Sequence, residues 1–370
     1  MTDRDRFGAP KGTYDLLPPD SWRWVAAVRT ALDTFARAGY APVETPAFEH
    51  TEVFERGVGE TSEVVGKQMY TFLDKGGRSL TLRPEGTAPV VRAVLEHHLE
   101  RGALPVKLAY GSFMFRQERP QKGRFRQFFQ VGIEAIGSDD PAVDAEVVEV
   151  GVRYLAEVGV RPALLLNSIG HPAESCRGGY VKLLADWLGD RADDLAPVDR
   201  DRIATNPLRT FDSKERQTVE VMRDAPLISE HLCESCAAHF AGVRSLLDEV
   251  SVGYRVEPRL VRGLDYYTRT AFEFVSQVLG PTQSTLCGGG RYDGLAEALG
   301  GEPTPGIGFG LGLERVLLAM DREGVLPPRR EAVEVFLISL GEEAGKESRA
   351  LLRSLREQGI AADASLEERP

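Results

Sequence analysis

The sequence predicts an α+β protein in which an antiparallel sheet is flanked by helices, with a helical insertion and the start of a C-terminal α/β domain. Two observations predict the sheet. One is a pair of alternating runs between Gly111 and Glu134, and the other is a run with glycine at every second position from Gly306 to Gly312. Segments of helical period lie between these runs, which favours an α+β arrangement.

Changes in composition divide the chain, which at 370 residues is too long for one compact core. Residues 171–250 are largely helical in pattern, richer in charge, and lack the glycine and aromatic punctuation of the sequence on either side. Strand-like sequence resumes after them, so we expect an insertion that interrupts one core. The predicted segments are the first part of the core (1–170), the helical insertion (171–250), the second part of the core (251–326) and the start of an α/β domain (331–370).

Composition is typical of a soluble globular protein. The net charge of -11 and the pI near 5.3 argue against a protein that coats nucleic acid, although local basic patches can override this average. The chain has no apolar run of about 18 residues and no apolar N-terminal segment, so we expect a cytoplasmic protein without a membrane span. The cysteines are too sparse for a disulfide framework, which agrees with a reducing compartment. They are Cys176, Cys233, Cys236 and Cys287.

The first predicted elements are a helix and an edge strand. Apolar residues at helical spacing predict a helix from Ser21 to Ala38, and Gly39 ends it. Pro42 and Pro46 interrupt the β-like run that follows, and a strand with prolines belongs at a sheet edge or an interface. We therefore expect a dimer contact at this segment.

Two short strands and a second helix come next. Met69–Leu73 and Ser79–Leu82 are predicted strands, and a helix is predicted from Thr87 to about Glu100. Thr87 is a candidate N-cap, and Glu85 is a carboxylate that favours the helix N-terminus, so both have a purely structural explanation. The alternative is that both contact a ligand.

The hairpin between Gly111 and Glu134 presents one apolar and one polar face. Its second strand places Phe128, Gln130 and Glu134 on the polar face, and Arg116 ends the first strand. Together these groups offer an anion clamp, directed polar contacts and a stacking ring. The connecting loop is basic and could close over polyphosphate. The alternative is an amphipathic hairpin whose charged face meets water.

Later segments complete the predicted core. A helix over 142–157 and a strand over 162–170 precede the insertion, and strand-like sequence returns at 254–275. Glycines from Gly306 to Gly312 strip one face of a strand, which predicts a group lying close to that backbone. Arg315 follows near the N-terminal end of a helix, where dipole and guanidinium both favour phosphate. The alternative is tight packing of strand on helix.

The C-terminal stretch predicts only the first part of a domain. A linker-like segment at 326–333 leads to a strand over 333–341, a helix to about Gln358 and the start of another strand. These elements are too few to bury a core of their own.

Cys233, Cys236 and His239 have a spacing that can bind zinc. No fourth ligand is visible nearby in the sequence, and the cysteines are as easily packing residues of a helix. We therefore expect no metal site and no tightly bound cofactor.

Four stretches, in order, resemble the class II aminoacyl-tRNA synthetases and, more specifically, the histidyl-tRNA synthetase family. They are LTLRPEGTAPVVRA, FRQERPQKGRFRQFFQVGIEAIG, LVRGLDYYTRTAFEF and GGGRYDGL. The resemblance covers about residues 7–340. It implies a synthetase-type sheet as the catalytic core, and an anticodon-binding domain that is incomplete in 331–370.

This resemblance implies a two-step reaction and a set of site residues. Histidine and ATP, carried with Mg²⁺, give histidyl-adenylate and pyrophosphate, and the acyl group then passes to the 3′ end of tRNA(His). Arg262 is the implied catalytic arginine, opposite Arg116 at the α-phosphate; a structural pair between Arg262 and Asp265 is the alternative. The implied histidine-binding residues are Glu85, Gly86, Thr87, Arg116, Gln130, Glu134, Arg262, Tyr266 and Tyr267. The implied ATP-binding residues are Arg116, Glu118, Arg124, Phe128 and Arg315.

Partners and rival functions follow from the same resemblance. The family implies a homodimer, and adenylate formation is expected to survive an incomplete C-terminal domain while tRNA affinity falls. One rival is a non-catalytic paralogue that acts as a regulatory subunit in histidine biosynthesis. A second is a tRNA-binding or sensor module without chemistry. The stretch VRGLDYYT and the insertion, both present here, disfavour the regulatory subunit.

Overall fold

The computed structural model of the protein describes residues 7–59, 62, 64–280, 283–325 and 333–365. The chain divides into two compact units between Val325 and Leu326. The predicted boundary between core and C-terminal domain, at 326–331, lies outside the described residues.

Helices of the first unit occur in two groups, before and after the start of the insertion. The first group is α1 (Asp20–Arg37), α2 (Thr51–Val58), α3 (Thr87–Glu96) and α4 (Pro141–Glu157). The second group is α5 (Gly179–Gly189), α6 (Pro197–Thr205), α7 (Arg216–Val221), α8 (Glu234–Glu249), α9 (Leu295–Ala298) and α10 (Leu313–Glu323). Short 3₁₀ turns join several of them, including Leu99–Arg101 and Pro207–Asp212. The helix predicted to reach Glu100 therefore ends at Glu96, because His98 adopts a left-handed backbone conformation with φ 52°.

Among the described residues of this unit, eight strands form one sheet and three form a smaller one. The strands are β1 (Ala41–Pro42), β2 (Phe48–His50), β3 (Tyr70–Leu73), β4 (Ser79–Leu82), β5 (Val106–Phe115), β6 (Gln127–Ile136), β7 (Ala163–Ser168), β8 (Arg255–Val256), β9 (Thr268–Val275), β10 (Thr285–Arg291) and β11 (Gly306–Gly312). The large sheet has the order β1-β5-β6-β11-β10-β9-β7-β8, and the small one β2-β4-β3. The pairs are antiparallel except at the edges, where β1 runs parallel to β5 and β8 to β7. The predicted α+β fold with a mainly antiparallel sheet is confirmed.

The hairpin alternation explains which face of the sheet is covered. Phe129, Val131 and Ile133 of β6 are buried in the main core. Helices α1, α4, α8 and α10 supply the other side of that core, for example through Phe35 of α1. The opposite face of β6, which carries Gln130, is left for α3 and the insertion. One side of the sheet therefore provides stability, and the other is open to function.

The insertion makes its own small core on that open side. Leu184 and Leu188 of α5 and Leu195 are fully buried there, and they pack in one cluster with Tyr267 and Ala271 of the returning chain. The last helix of the insertion, α8, packs behind the sheet against α4, through residues such as Val243.

The second unit contains β12 (Val335–Leu337), α11 (Glu342–Glu357) and β13 (Ala362–Ala364). The two strands run parallel. This is the strand–helix–strand beginning that the sequence predicts. No helix in the described ranges of either unit is long and apolar enough to cross a membrane.

Candidate active site

A cavity of about 620 Å³ lies on the open face of the large sheet. One side of it, the sheet side, consists of β6, β10, β11 and the N-terminus of α3. The facing side, the insertion side, consists of residues 198–215. The cavity is lined by all the sequence-predicted site residues except Glu134: Glu85, Gly86, Thr87, Arg116, Glu118, Arg124, Phe128, Gln130, Arg262, Tyr266, Tyr267 and Arg315. Residues more than 200 positions apart thus meet in one place.

Glu134 lies directly behind the cavity wall and is fully buried. Its carboxyl group accepts hydrogen bonds from the hydroxyls of Thr87, at 2.7 Å, and Tyr292, at 2.6 Å. Burial raises the pKa of Glu134 to about 8, and the two hydroxyl bonds only partly offset this desolvation. The group therefore holds a proton at pH values where an exposed glutamate has lost it.

The glycines of β11 leave room for the Glu134 side chain, because they carry no Cβ. Gly308 is paired with Glu134 across the sheet, and a Cβ at Gly308 would collide with the carboxylate. At Gly310 a Cβ would lie 3.4 Å from Gln130. The same holds on β10, where a Cβ at Gly288 would collide with the guanidinium of Arg262. The predicted close approach to a bare strand face is confirmed, and the approaching groups are site residues of the protein itself.

Glu85, rather than Thr87, caps helix α3. The Glu85 carboxylate accepts from the backbone N–H groups of Thr87 and Ala88, both at 2.8 Å. The Thr87 hydroxyl does not cap the helix and donates to Glu134 at 2.7 Å. Burial raises the pKa of Glu85, and the two backbone bonds oppose that effect. The N-cap interpretation of Thr87 is therefore wrong, and its hydroxyl belongs to the cavity wall.

Arg116 and Phe128 form a stacked pair at the end of the hairpin. The guanidinium carbon lies 5.3 Å from the centre of the ring. Nε of Arg116 donates to the backbone oxygen of Pro84, at 2.8 Å, and this bond orients the side chain. The pair provides a cation and a flat apolar surface side by side.

A second group of charges lies where the hairpin loop meets α10. Arg124 forms an ion pair with Glu118 at 2.9 Å. Arg315 donates to the backbone oxygens of Gly123, at 3.2 Å, and Thr285, at 2.7 Å. Burial lowers the pKa of Arg315, and repulsion from Arg124 adds to this lowering. Cations crowded in this way are stabilised by a polyanion.

Arg262 is held in the cavity by contacts on two sides. It forms an ion pair with Glu273 of β9, and its guanidinium carbon lies 5.2 Å from the centre of the Tyr267 ring. The side chain of Asp265 accepts from Arg209 at 3.1 Å and from Asn206 at 3.2 Å. The carboxylate that holds Arg262 is therefore Glu273, which the sequence did not single out.

Sequence reasoning also missed the whole insertion side. Asp199 is fully buried and is held by Arg202, at 2.7 Å, and Ser213, at 2.5 Å. Nothing in the spacing of these residues distinguishes them from a solvated charged helix, so no sequence signal points to them. The cavity residues from the insertion are Val198, Asp199, Arg202, Arg209, Asp212, Ser213, Lys214 and Glu215.

His239 does not join Cys233 and Cys236. Its Nε2 lies 2.9 Å from the carboxylate of Asp144, in a buried network that also contains Arg291. The sequence-based zinc set is therefore wrong in its third member, because the helix turns His239 toward α4 and the two cysteines toward the start of the insertion.

Comparisons with known proteins identify a family for the chain. A family profile described as Histidyl-tRNA synthetase matches residues 12–173 and 195–316. The histidine–tRNA ligase of Moorella thermoacetica is 49% identical over 361 residues, covering 97% of this chain and 85% of that protein. The crystal structure of apo S. aureus histidyl-tRNA synthetase is 37% identical with a TM-score of 0.81, and the match covers 99% of this chain and 86% of that one.

A further solved structure shares the fold at lower identity. It is described as an ATP phosphoribosyltransferase regulatory subunit/histidyl-tRNA synthetase from Bacillus halodurans. The identity is 24% and the TM-score 0.71, and the match covers 97% of this chain and 92% of that one. This likeness shows the fold alone.

Proposed function

The chain belongs to the histidyl-tRNA synthetase family and is a histidine–tRNA ligase, and we propose that the cavity on the sheet forms histidyl-adenylate before the acyl group passes to tRNA(His). The observation that carries the proposal is the meeting of Arg116, Gln130, Arg262 and Tyr267 in one cavity, with Glu134 directly behind its wall.

Histidine binds at the sheet side in this proposal. Glu134 and Tyr267 face the imidazole, which in its neutral form offers one donor and one acceptor. Burial raises the pKa of Tyr267, so its hydroxyl keeps its proton and can donate. The carboxyl oxygen of Glu134 that accepts from Thr87 has two lone pairs, so it can also accept from an imidazole N–H group. An amino acid without these two edges could form neither of these two hydrogen bonds, which is the basis of selectivity.

The rest of the amino acid is held by groups around the mouth of this pocket. Glu85, Thr87 and Gln130 take the α-amino group, and the neighbouring Gly86 keeps the backbone close. The Tyr266 hydroxyl lies 3.3 Å from Glu85 and orients that carboxylate. Burial keeps Glu85 from solvent, so a cationic amino group is a favourable partner for it.

ATP occupies the part of the cavity bounded by the hairpin loop. Phe128 stacks on the adenine, and Glu118 accepts from its amino group. Arg124 and Arg315 bind the outer phosphates, which requires Arg124 to exchange its ion pair with Glu118 for phosphate oxygens. ATP enters as its magnesium complex, because bound nucleotide phosphates usually carry this ion.

Two arginines act at the reacting phosphorus. Arg116 contacts the histidine carboxylate and the α-phosphate together, which aligns nucleophile and electrophile. Arg262 approaches the α-phosphate from the other side and stabilises the charge that develops during displacement. Its ion pair with Glu273 and its contact with Tyr267 hold it in place before substrates arrive. This preorganisation is what electrostatic catalysis needs.

The finer biological assignments are part of the same proposal. The enzyme works in the cytoplasm, where its substrates are found. It acts as a homodimer, with the edge segment at β1 and its prolines in the contact. Light scattering at low protein concentration should give twice the mass of one chain, and a monomer mass would contradict this assignment.

ATP–pyrophosphate exchange with each of the twenty amino acids tests the function. We expect exchange with histidine alone, followed by charging of tRNA(His) in a separate assay. A regulatory subunit would give neither reaction, and a tRNA-binding sensor would bind tRNA without exchange. Absence of histidine-dependent exchange from a folded chain would refute the proposal.

A further inference from the structure

Three of the four cysteines and one of the six histidines of the chain meet outside the cavity. The ligand atoms of His171, Cys176, Cys233 and Cys236 all lie within 4.8 Å of one another. We propose that this group, the Cys3His cluster, is a structural zinc site. The inference does not depend on the function proposed above.

The distances fit tetrahedral zinc. With Zn–S bonds of about 2.3 Å and a Zn–N bond of about 2.0 Å, the nitrogen and each sulfur of such a site are about 3.5 Å apart. Nδ1 of His171 lies 3.6 Å from Sγ of Cys233 and 3.1 Å from Sγ of Cys236. These values bracket the tetrahedral one, and all four ligand atoms lie within 4.8 Å of one another, so an ion requires side-chain shifts of about 1 Å. Three thiolates and one imidazole are ligands that favour zinc over calcium or magnesium.

The backbone around Cys176 is shaped to bring its thiol inward. Cys176 departs from helical geometry inside the turn Glu174–Gly178, with φ -139° and ψ -115°. Gly170 has φ +64°, and a Cβ there would lie 2.8 Å from Sγ of Cys176. The backbone N–H of Cys233 donates to the same sulfur at 3.4 Å. Such N–H···S bonds are the outer contacts that orient metal-bound thiolates.

Access and chain topology also favour a metal site over plain packing. His171 and Cys233 are only partly buried, so an ion can reach them. His171 and Cys176 follow β7, whereas Cys233 and Cys236 open α8, so one ion would tie together the two ends of the inserted segment. Ligands from both ends of a long loop give a metal its largest effect on stability.

The cluster is connected to the cavity through one side chain. Arg177, next to Cys176, donates to the backbone oxygen of Tyr267 at 2.5 Å. Zinc would therefore fix the base of the insertion and support the backbone of a residue that we assign to imidazole recognition. Loss of the ion should loosen the insertion first and affect the histidine site through this bond.

Metal analysis of the full chain, purified without chelator from zinc-supplemented cells, tests the site. We expect about one zinc per chain, and near zero in the double variant Cys233→Ser/Cys236→Ser. The matched control is Cys287→Ala, which removes the one cysteine outside the cluster and should keep its zinc. His239→Gln should also keep it, because His239 pairs with Asp144.

Cobalt substitution keeps the test decisive if a variant fails to fold. Wild-type protein loaded with Co²⁺ should show thiolate-to-metal charge transfer and the visible bands of tetrahedral cobalt. Its thermal midpoint should fall when the metal is removed by chelation. The proposal is overturned if the reduced, folded chain takes up no stoichiometric zinc or cobalt, if the double variant retains the zinc, or if mass spectrometry finds a native disulfide between cluster cysteines.

Discussion

The two sides of the cavity are built on different principles. On the sheet side, Thr87, Glu134 and Tyr292 are locked by buried hydrogen bonds, and the bare glycine strand leaves no room for other arrangements. The insertion side, residues 198–215, is held in part by partly exposed ion pairs such as Arg209 with Asp265. Buried, satisfied groups fix geometry closely, whereas partly exposed ion pairs are weak. We infer that substrate selection and chemistry depend on the sheet side, and that the insertion side mainly encloses the substrates.

The largest predicted effect follows from Arg116→Ala on the sheet side. We assign Arg116 to both reactants, so its removal should lower histidine-dependent exchange about 10²- to 10³-fold. Exchange kinetics measure it. Arg126→Ala is the matched control, since Arg126 ends the same loop, donates to the backbone oxygens of Glu118 and Lys11, and is not itself a cavity-lining residue. Equal losses in both variants would mean that the loop, and not the Arg116 contact, is responsible.

Gln130→Ala should have the next largest effect, on binding. A hydrogen bond to a charged group is worth about 1.5–3 kcal/mol, which raises the KM for histidine about 10- to 100-fold. The KM for ATP should change much less, because Gln130 is assigned to the amino group. Steady-state exchange at varied histidine and ATP separates the two. An increase in the KM for ATP without an increase in the KM for histidine would contradict the assignment of Gln130.

Glu134→Gln should change stability with pH. Burial raises the pKa of Glu134 from 4.5 to about 8 in the folded chain. Between these values the folded state keeps a proton that the unfolded state has lost, so wild-type stability falls as pH rises. Glutamine does not titrate, so the free energy of unfolding of the variant minus that of wild type should increase from pH 5 to pH 8, by up to about 1.4 kcal/mol per pH unit, and the difference in thermal midpoint should rise with it.

Scanning calorimetry without histidine checks this trend. Glu297→Gln is the control, since the Glu297 side chain is exposed and its replacement should give a difference that is flat with pH. If the difference between Glu134→Gln and wild type also stays constant with pH, then burial does not raise the pKa of Glu134.

Arg209→Ala on the insertion side should have the smallest effect. Arg209 donates to the Gly263 backbone oxygen at 2.9 Å and to Asp265, and so supports the segment that carries Arg262. A partly exposed ion pair is worth about 0.2–1 kcal/mol, so exchange should fall only about two- to fivefold. A loss as large as that of Arg116→Ala would remove the distinction between the two sides.

The sequence predicted the sheet side well because local chemistry reveals it. Alternating polarity predicted that Gln130 and Glu134 lie on one face of β6. The repeated glycines predicted that other groups lie close to the backbone of β11. The roles of Arg262 and Tyr267 were implied by the family resemblance. These two residues reach the cavity only when the chain folds. The insertion side could not be predicted, because charged residues on short helices have the same pattern whether they face water or a cavity.

The spacing of the cysteines in the sequence showed only part of the Cys3His cluster. Cys233 and Cys236 were visible as a pair, but their partners come from the chain before α5, where no spacing rule points. Helix geometry then separated His239 from them. Local motifs can suggest a site, whereas its completion depends on long-range packing.

We propose that Arg262 acts on the reacting phosphate from its position beside Glu273 and Tyr267. Histidine-dependent ATP–pyrophosphate exchange by Arg262→Ala measures this role, with circular dichroism to verify the fold. The exposed Arg259, which donates to the Arg223 backbone, supplies the control Arg259→Ala. We expect a loss of about 10²-fold or more for Arg262→Ala and near-normal exchange for the control. Near-normal exchange by folded Arg262→Ala would contradict it.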